Sequence, residues 1–221
     1  MHDFDALSAI QRKLAQRVII RDAFETPVTR VAGVDLAFIS GMAITACVIT
    51  ALPPVKPLAQ FTVLRKLDFP YRSGFLSFRE GPPIIALVTS LAAKVDLFLI
   101  NAHGLAHPRF YGCASHVGVV TGAVTIGVAA RNLCGVYSRV PQGVGDAVAA
   151  YYNERQVGWV VQSKAGCRPI FVSPGHRIGL TSTLKLVTAC LYGHKFPEPL
   201  WLAHRVANDE KRRRRTMDSR M

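Results

Sequence analysis

Acidic side chains are scarce in this chain. Its 221 residues carry 14 Asp and Glu against 27 Lys and Arg, a formal charge of +13. The shortage of negative charge argues against a surface that keeps polyanions away and favours a phosphorylated partner, nucleic acid first and an acidic membrane second. Long apolar runs are also missing. The longest weakly polar stretch, Val117 to Ala130, is broken by Gly118, Thr121, Gly122, Thr125 and Gly127. It falls short of the ~20 apolar residues that a membrane-spanning helix requires. The start Met-His-Asp-Phe-Asp has neither the basic residues nor the apolar stretch of a secretory signal, so export is not expected. The five cysteines, Cys47, Cys113, Cys134, Cys167 and Cys190, include no CxxC pair. Their odd number and scatter argue against a disulfide framework and fit small core residues in a reducing cytoplasm. No internal repeat is present.

Core material, by contrast, is plentiful. Half of the residues are hydrophobic and 19% are charged, enough for one full-sized α/β domain. We place that domain at residues 1–208 and read residues 209–221, with the run Lys211-Arg212-Arg213-Arg214-Arg215, as a basic, disordered tail. A monomer is expected. Leu7, Ile10, Leu14 and Val18 recur at helical spacing and predict an amphipathic helix over Ala6 to Arg21, capped by Asp5. Three β-rich runs follow, Val31 to Phe38, Ala43 to Ala51 and Phe61 to Lys66, with Ser40-Gly41 as a hairpin turn. Further on, the pattern predicts helices over Ile84 to Ala93 and Ala114 to Thr121, each followed by a strand, Val95 to Ile100 and Val124 to Val128. Pro141 to Asp146 reads as a flexible excursion. Strands over Val157 to Gln162 and Pro169 to Val172 then precede a helix over Thr181 to Leu191, capped by Thr181, and a last helix over Pro199 to Ala207. An antiparallel meander followed by alternating helices and strands implies a mixed sheet with flanking helices on both faces.

Three oxygen-bearing side chains stand out at the ends of these elements. Asp35 lies among apolar neighbours in Val31-Ala-Gly-Val-Asp-Leu-Ala-Phe38, and Asn101 follows Leu97-Phe-Leu-Ile100. Glu80 lies beside Arg79 where the aromatic-rich Phe75-Leu-Ser-Phe-Arg-Glu-Gly-Pro82 enters a helix. A lone ionised carboxylate costs several kcal/mol to bury, so Asp35 is expected to be paired or metal-bound. Taken singly, Asp35 is as readily a strand-end residue closing a turn, and Glu80 a solvated acid near a helix N-terminus. Together they match the oxygen-rich set that Mg²⁺ uses, one or two carboxylates completed by water and substrate phosphate. His103 and His107 are four residues apart, but Gly104 and Pro108 argue against a helix presenting both to zinc. That loop, with His107 and Arg109, is better read as offering backbone N–H groups and cations to a nucleotide. The loop around His176 and Arg177 is read as a phosphate contact or, equally, a surface turn.

These segments, in order, resemble the endonuclease V family. The match rests on Val-Ala-Gly-Val-Asp35, Phe75-Leu-Ser-Phe-Arg-Glu-Gly-Pro82, His103-Gly-Leu-Ala-His-Pro-Arg109, Gly112-Cys-Ala-Ser-His-Val-Gly-Val119, Thr125-Ile-Gly-Val-Ala129, Ser163-Lys-Ala-Gly-Cys-Arg-Pro169, Ser173-Pro-Gly-His-Arg-Ile178 and Pro197-Glu-Pro199. The resemblance implies a ribonuclease-H-like fold and a Mg²⁺-dependent nuclease, with Mn²⁺ as a possible substitute. Its substrate would be nucleic acid with deaminated bases, chiefly inosine, in DNA first and RNA second, cut one nucleotide beyond the lesion on its 3′ side. It puts Asp35, Asn101 and Glu80 at the catalytic metal site, with His204 completing it. Tyr71 would be the wedge that enters the stack, and Gly74, Leu76, Gly112 and Cys113, with His107 nearby, would line the pocket for the flipped base.

Three positions depart from the family pattern. Asn101 stands where the family has Asp, Ala130 where it has Lys, and Arg72-Ser73 where Ile-Pro is usual. An amide oxygen can ligate a cation but brings no charge. The alternative reading is therefore a homologue that grips inosine-containing nucleic acid without cutting it. A third reading, a structural or membrane-surface protein, rests on charge alone.

Overall fold

Apolar side chains along Arg30–Ile39 build strand β1 of the computed structural model, which describes residues 3–218. Ahead of it lies helix α1 (Phe4–Ala15), and after it come β2 (Met42–Ala51) and β3 (Lys56–Lys66). Next are α2 (Leu76–Arg79), α3 (Gly81–Leu91) with a single 3₁₀ turn behind it, β4 (Leu97–Ile100), α4 (Cys113–Thr121) and β5 (Thr125–Ala129). The chain continues through β6 (Ala147–Tyr152), β7 (Arg155–Val161), β8 (Ile170–His176), α5 (Leu180–Ala189) and α6 (Glu198–Asp218). The strands form one eight-stranded mixed sheet in the order β3-β2-β1-β4-β5-β8-β7-β6. β1, β4 and β5 are parallel neighbours, and every other pairing is antiparallel. Ser40 and Gly41 both take positive φ, 46° and 75°, which lets a two-residue turn follow the right-handed twist of the β1–β2 hairpin.

Period-two alternation divides the core into two layers. Val31, Leu97, Leu99 and Ile126 face Val187 and Leu200 of α5 and α6, whereas Ala32, Val34, Phe98 and Ile100 face Ile84, Val88, Ala114 and Val117 of α3 and α4. β4 is buried on both faces, which is why its run is continuously apolar. α6 lies very close to β1. A Cβ at Gly33 would come within 2.1 Å of the Pro199 carbonyl oxygen, so only glycine lets the start of α6 rest on the strand. That contact fixes where the next turn of α6, with His204, meets the sheet.

Several expectations change. The tail does not part from the fold at residue 209: α6 continues to Asp218, and only residues 219–221 of the expected disordered tail lie outside the described residues. Asp209 pairs with Arg212, and Glu210 pairs with Arg213 and Arg214 at 3.2 and 2.7 Å, so acids one turn back offset the basic run along the helix. α1 is shorter than expected, and its cap is Asp3, whose Oδ1 accepts from the Asp5 and Ala6 N–H groups. Thr181 does not cap α5. Gly179 holds that position, and Asp22, distant in sequence, accepts from the Gly179 N–H at 2.8 Å and from the Ser182 hydroxyl. The first half of β3 escaped the pattern because it is largely exposed, and β6 because, although Val148 and Ala150 alternate inward, its outward positions are Ala and Tyr, so no polar residue marks the period. The Ser173–His176 segment is part of β8, not a loop.

Candidate active site

The parallel register pairs Val34 with Ile100, so the next residues, Asp35 and Asn101, stand side by side where β4 ends and β1 runs on into its hairpin. Asp35 is only 4% exposed. Its Oδ1 accepts from the Asn101 amide at 2.8 Å and from the Leu36 N–H at 2.8 Å. Its Oδ2 accepts from His204 Nδ1, on α6, at 2.7 Å. The hydrogen bond to Asp35 holds the His204 imidazolium above the usual histidine range, against the effect of partial burial. One turn further along α6, the Asn208 amide donates to the His204 carbonyl at 2.8 Å and lies 3.2 Å from Nε2.

Glu80 reaches the same region from the other face. It is the junction of α2 and α3, its N–H donating to the Leu76 carbonyl at 2.8 Å, and its side chain is buried. Burial first, and then the negative charge of Asp35, push its carboxyl up to about 7, with Arg79 opposing. Among the described residues no three His, Cys, Asp or Glu side chains converge closely enough to hold a metal by themselves. The donor set still suits a hard cation. Two buried carboxylates that repel one another, with an amide and an imidazole that now donate to Asp35 but could ligate through the amide oxygen and a neutral ring nitrogen, fit a Mg²⁺ ion that takes its remaining ligands from water and phosphate.

Beside this cluster is a small recess lined by Gly74, Leu76, Ser77, His103, His107, Gly112, Cys113 and Leu133, with a volume of about 30 Å³. All the expected pocket residues therefore meet, and Ser77, His103 and Leu133 join them. One carbonyl organises the wall. Gly74, at φ +77°, accepts from Arg109 Nη2 at 2.6 Å, from Gln11 Nε2 at 3.1 Å and from His107 Nε2 at 3.1 Å. Gln11 also donates to Ser77 Oγ and accepts from Arg109 Nε at 2.6 Å. Arg109 is thus turned inward across the Phe75 ring, not outward to a nucleotide. Replacing Gln11 by Leu leaves the half-buried Arg109 Nε and the buried Ser77 without this partner, a loss of about 1–3 kcal/mol. Urea denaturation should show that loss.

Tyr71 is 73% exposed at the tip of the loop before α2. Its base is anchored by the ring contacts of Phe4, Phe69, Phe75 and Phe78 and by Arg79 Nη1 donating to the Phe69 carbonyl at 2.6 Å. Ala130, just past β5, is exposed and offers no cation. His176 is not a phosphate contact: it is buried, and its Nδ1 accepts from the Ile19 N–H at 3.2 Å.

Burial has a consequence for acid stability. His116 and His176 are held down to about 4, chiefly by burial, with Arg177 and Arg17 adding to the effect at His176. An unfolded histidine titrates near 6.5, so between about 6.5 and 4 the unfolded chain binds more protons than the folded one. Stability contributed by the neutral rings is present above that window and lost as pH falls through it. Glu80 acts in the opposite sense between its ordinary range and about 7. The urea midpoint should fall from pH 6.5 to 4.5. His116→Phe, which keeps the ring contacts with Phe78 and Tyr111 and removes the unpartnered Nδ1, should flatten that slope.

A family model described as Endonuclease V matches residues 12–205. The Endonuclease V of Azotobacter vinelandii is 40% identical over 201 residues, covering 90% of each chain. Among solved structures, the Endonuclease V from Streptomyces avermitilis superimposes with a TM-score of 0.87 at 30% identity, covering 96% of this chain and 95% of that one. The Endonuclease V of Ciona intestinalis, solved in complex with a 24mer DNA containing an inosine followed by a ribo-adenosine, superimposes with a TM-score of 0.84 at 25% identity, covering 95% and 98%. The matched residues run from α1 into α6 and take in Asp35, Glu80, Asn101 and His204, so the chain belongs to the endonuclease V family.

Proposed function

We propose that the protein is a Mg²⁺-dependent endonuclease that binds inosine-containing nucleic acid, DNA first, and hydrolyses a phosphodiester bond 3′ to the deaminated base. The observation that carries this reading is the pair of buried carboxylates, Asp35 and Glu80, beside the recess walled by Gly74 and Cys113. Asp35, Glu80, Asn101 and His204 would hold the cation, with Mn²⁺ as a substitute. Bound there, it would supply Lewis-acid polarisation of the scissile phosphate and a lowered pKa for the attacking water.

The chain's own residues do the rest. Asp35, fixed by Asn101, Leu36 and His204, presents a carboxylate that cannot swing away. Glu80, raised to about 7 by burial and by Asp35 while no cation neutralises the pair, would give up that proton on holding the cation, so that cation binding is coupled to proton release near neutral pH. Tyr71 enters the stack from its anchored loop. The flipped base is read by the backbone of Gly74 and Gly112 and packs on Leu76 and Cys113, near His107.

Nicking of a 5′-labelled inosine oligonucleotide, titrated with Mg²⁺ and Mn²⁺, tests the reading. A cut 3′ to inosine that vanishes with EDTA is expected; equal cutting of an undamaged strand would overturn the specificity. The second reading, a protein that grips the lesion without cutting, is favoured by one contact, the neutral Asn101 amide donating to Asp35 Oδ1 at 2.8 Å where a third carboxylate would add charge. Tight inosine binding with no cleavage at any Mg²⁺ or Mn²⁺ concentration is its signature.

A further inference from the structure

A second, larger groove lies beside the loop that bears Tyr71. It has a volume of about 500 Å³ and is lined by Arg65 and Lys66 at the end of β3, by Asp68 and Phe69, and by Phe78, Arg79, Pro82 and Pro83 of α2 and α3. That volume falls within the ~300–1,000 Å³ of sites that take small molecules or single residues of a larger ligand. Three features give it chemistry. Phe69 and Phe78 stand with ring centroids 5.9 Å apart, both only partly buried, and present phenyl surface to the groove. Arg65 and Lys66 are exposed and make no ion pair among the described residues, in contrast to Arg212, Arg213 and Arg214 on α6, which are matched with acids. Arg79 is not free in the same way: it donates to the Phe69 carbonyl and lies over the Phe38 ring, which ties the two walls together. The lining thus carries three cations against the single acid Asp68.

Phenyl faces beside unpaired cations are how proteins hold unstacked nucleotides without reading their sequence, the base on the ring and the phosphate on the charge. Position narrows the ligand further. The groove shares Phe78 and Arg79 with the helix that delivers Glu80, and Phe69 is two residues from Tyr71. We infer that this groove binds an unpaired nucleotide flanking the lesion, its base against Phe69 and Phe78 and its phosphate on Arg65 and Lys66. The inference rests on the proposed function, because it places that nucleotide on the strand whose modified base enters the Gly74 recess.

Truncation combined with mutation tests it. Fluorescence anisotropy in EDTA measures affinity for a single-stranded inosine oligonucleotide, for the same oligonucleotide shortened to end at the inosine on its 5′ side or on its 3′ side, and for an adenosine control. Arg65→Gln combined with Lys66→Gln is compared with Lys56→Gln combined with Lys94→Gln, which removes equal charge from exposed positions at the opposite end of the sheet. The groove variant should lose about 10-fold in affinity for the full-length strand, with a salt slope lower by about 0.7, the value for one neutralised phosphate on a single strand. One of the two truncations should weaken the natural protein and the Lys56/Lys94 variant while leaving the groove variant unchanged. If truncation weakens all three proteins alike, or if both charge variants lose affinity equally, the groove is not a nucleotide site. An absent preference for inosine over adenosine in the natural protein overturns the proposed function instead, so the two failures are told apart.

Discussion

Asp35→Ala is expected to lower cleavage of an inosine oligonucleotide by more than about 100-fold at saturating Mg²⁺. The magnitude follows from comparison: losing a residue that merely supports a metal ligand already costs ~10–100-fold in affinity or activity, and Asp35 would be a ligand and the anchor of its neighbours together. Its two oxygens accept from Asn101, Leu36 and His204, so its removal frees the amide and the imidazole at once. It also removes the charge that helps to raise Glu80. Single-turnover nicking, with circular dichroism to confirm folding, measures the effect. A folded Asp35→Ala protein that cuts within a factor of a few of the natural one would remove Asp35 from the mechanism. Affinity for the lesion in EDTA should survive, since none of the recess residues is altered.

Asn101→Asp is expected to act in the opposite direction. A third carboxylate beside Asp35 and near Glu80 adds repulsion to a buried pair, so without divalent ions the variant should be less stable than the natural protein. With Mg²⁺ the sign reverses. The added charge should lower the Mg²⁺ concentration for half-maximal nicking by about 10-fold, within the range for changes around a metal site, and should enlarge the rise in Tm that Mg²⁺ produces. Thermal melts and nicking across a Mg²⁺ series measure both. If the metal-dependent rise in Tm is the same for the two proteins, Asn101 does not face the cation. If the natural protein binds inosine without cutting and the Asp variant cuts, the binding-only reading holds for the natural chain.

How much of this was legible beforehand differs from element to element. β1, β2 and β4 were readable because they are buried on both faces and so read as apolar runs of strand length, α4 because its apolar run follows a strand and ends at a glycine, and the Ser40-Gly41 turn because its conformation needs residues that tolerate positive φ. β3 and β6 were less so: β3 is exposed along most of its length, and the outward positions of β6 are Ala and Tyr, which hide its alternation. The ending of α6 was misread for a related reason. A run of arginines looks disordered in isolation, and only the acids at Asp209 and Glu210, with Val206 and Ala207 packed on the sheet, make the helix continue. Asn208, four residues after His204, was not visible as a same-face helical neighbour, because the expected helix stopped at Ala207. Nor was Gln11: it meets the Gly74 carbonyl 63 residues away, and nothing local marks a buried glutamine as a contact of the recess.

The residue string alone determined the chemistry available: an excess of cations, few acids, a mixed sheet, and the order of segments that resembles one nuclease family. It named Asp35, Glu80, Asn101 and His204 and expected them at one site, but not the contacts by which they are held there. Tertiary structure decided that, because the parallel β1–β4 register sets Asp35 beside Asn101, and the close seat of α6 on Gly33 brings His204 within 2.7 Å of Asp35. It also decided the state of Glu80, whose carboxyl rises to about 7. That rise comes from removing water and setting another carboxylate nearby, two conditions that exist only once segments distant along the chain have packed together.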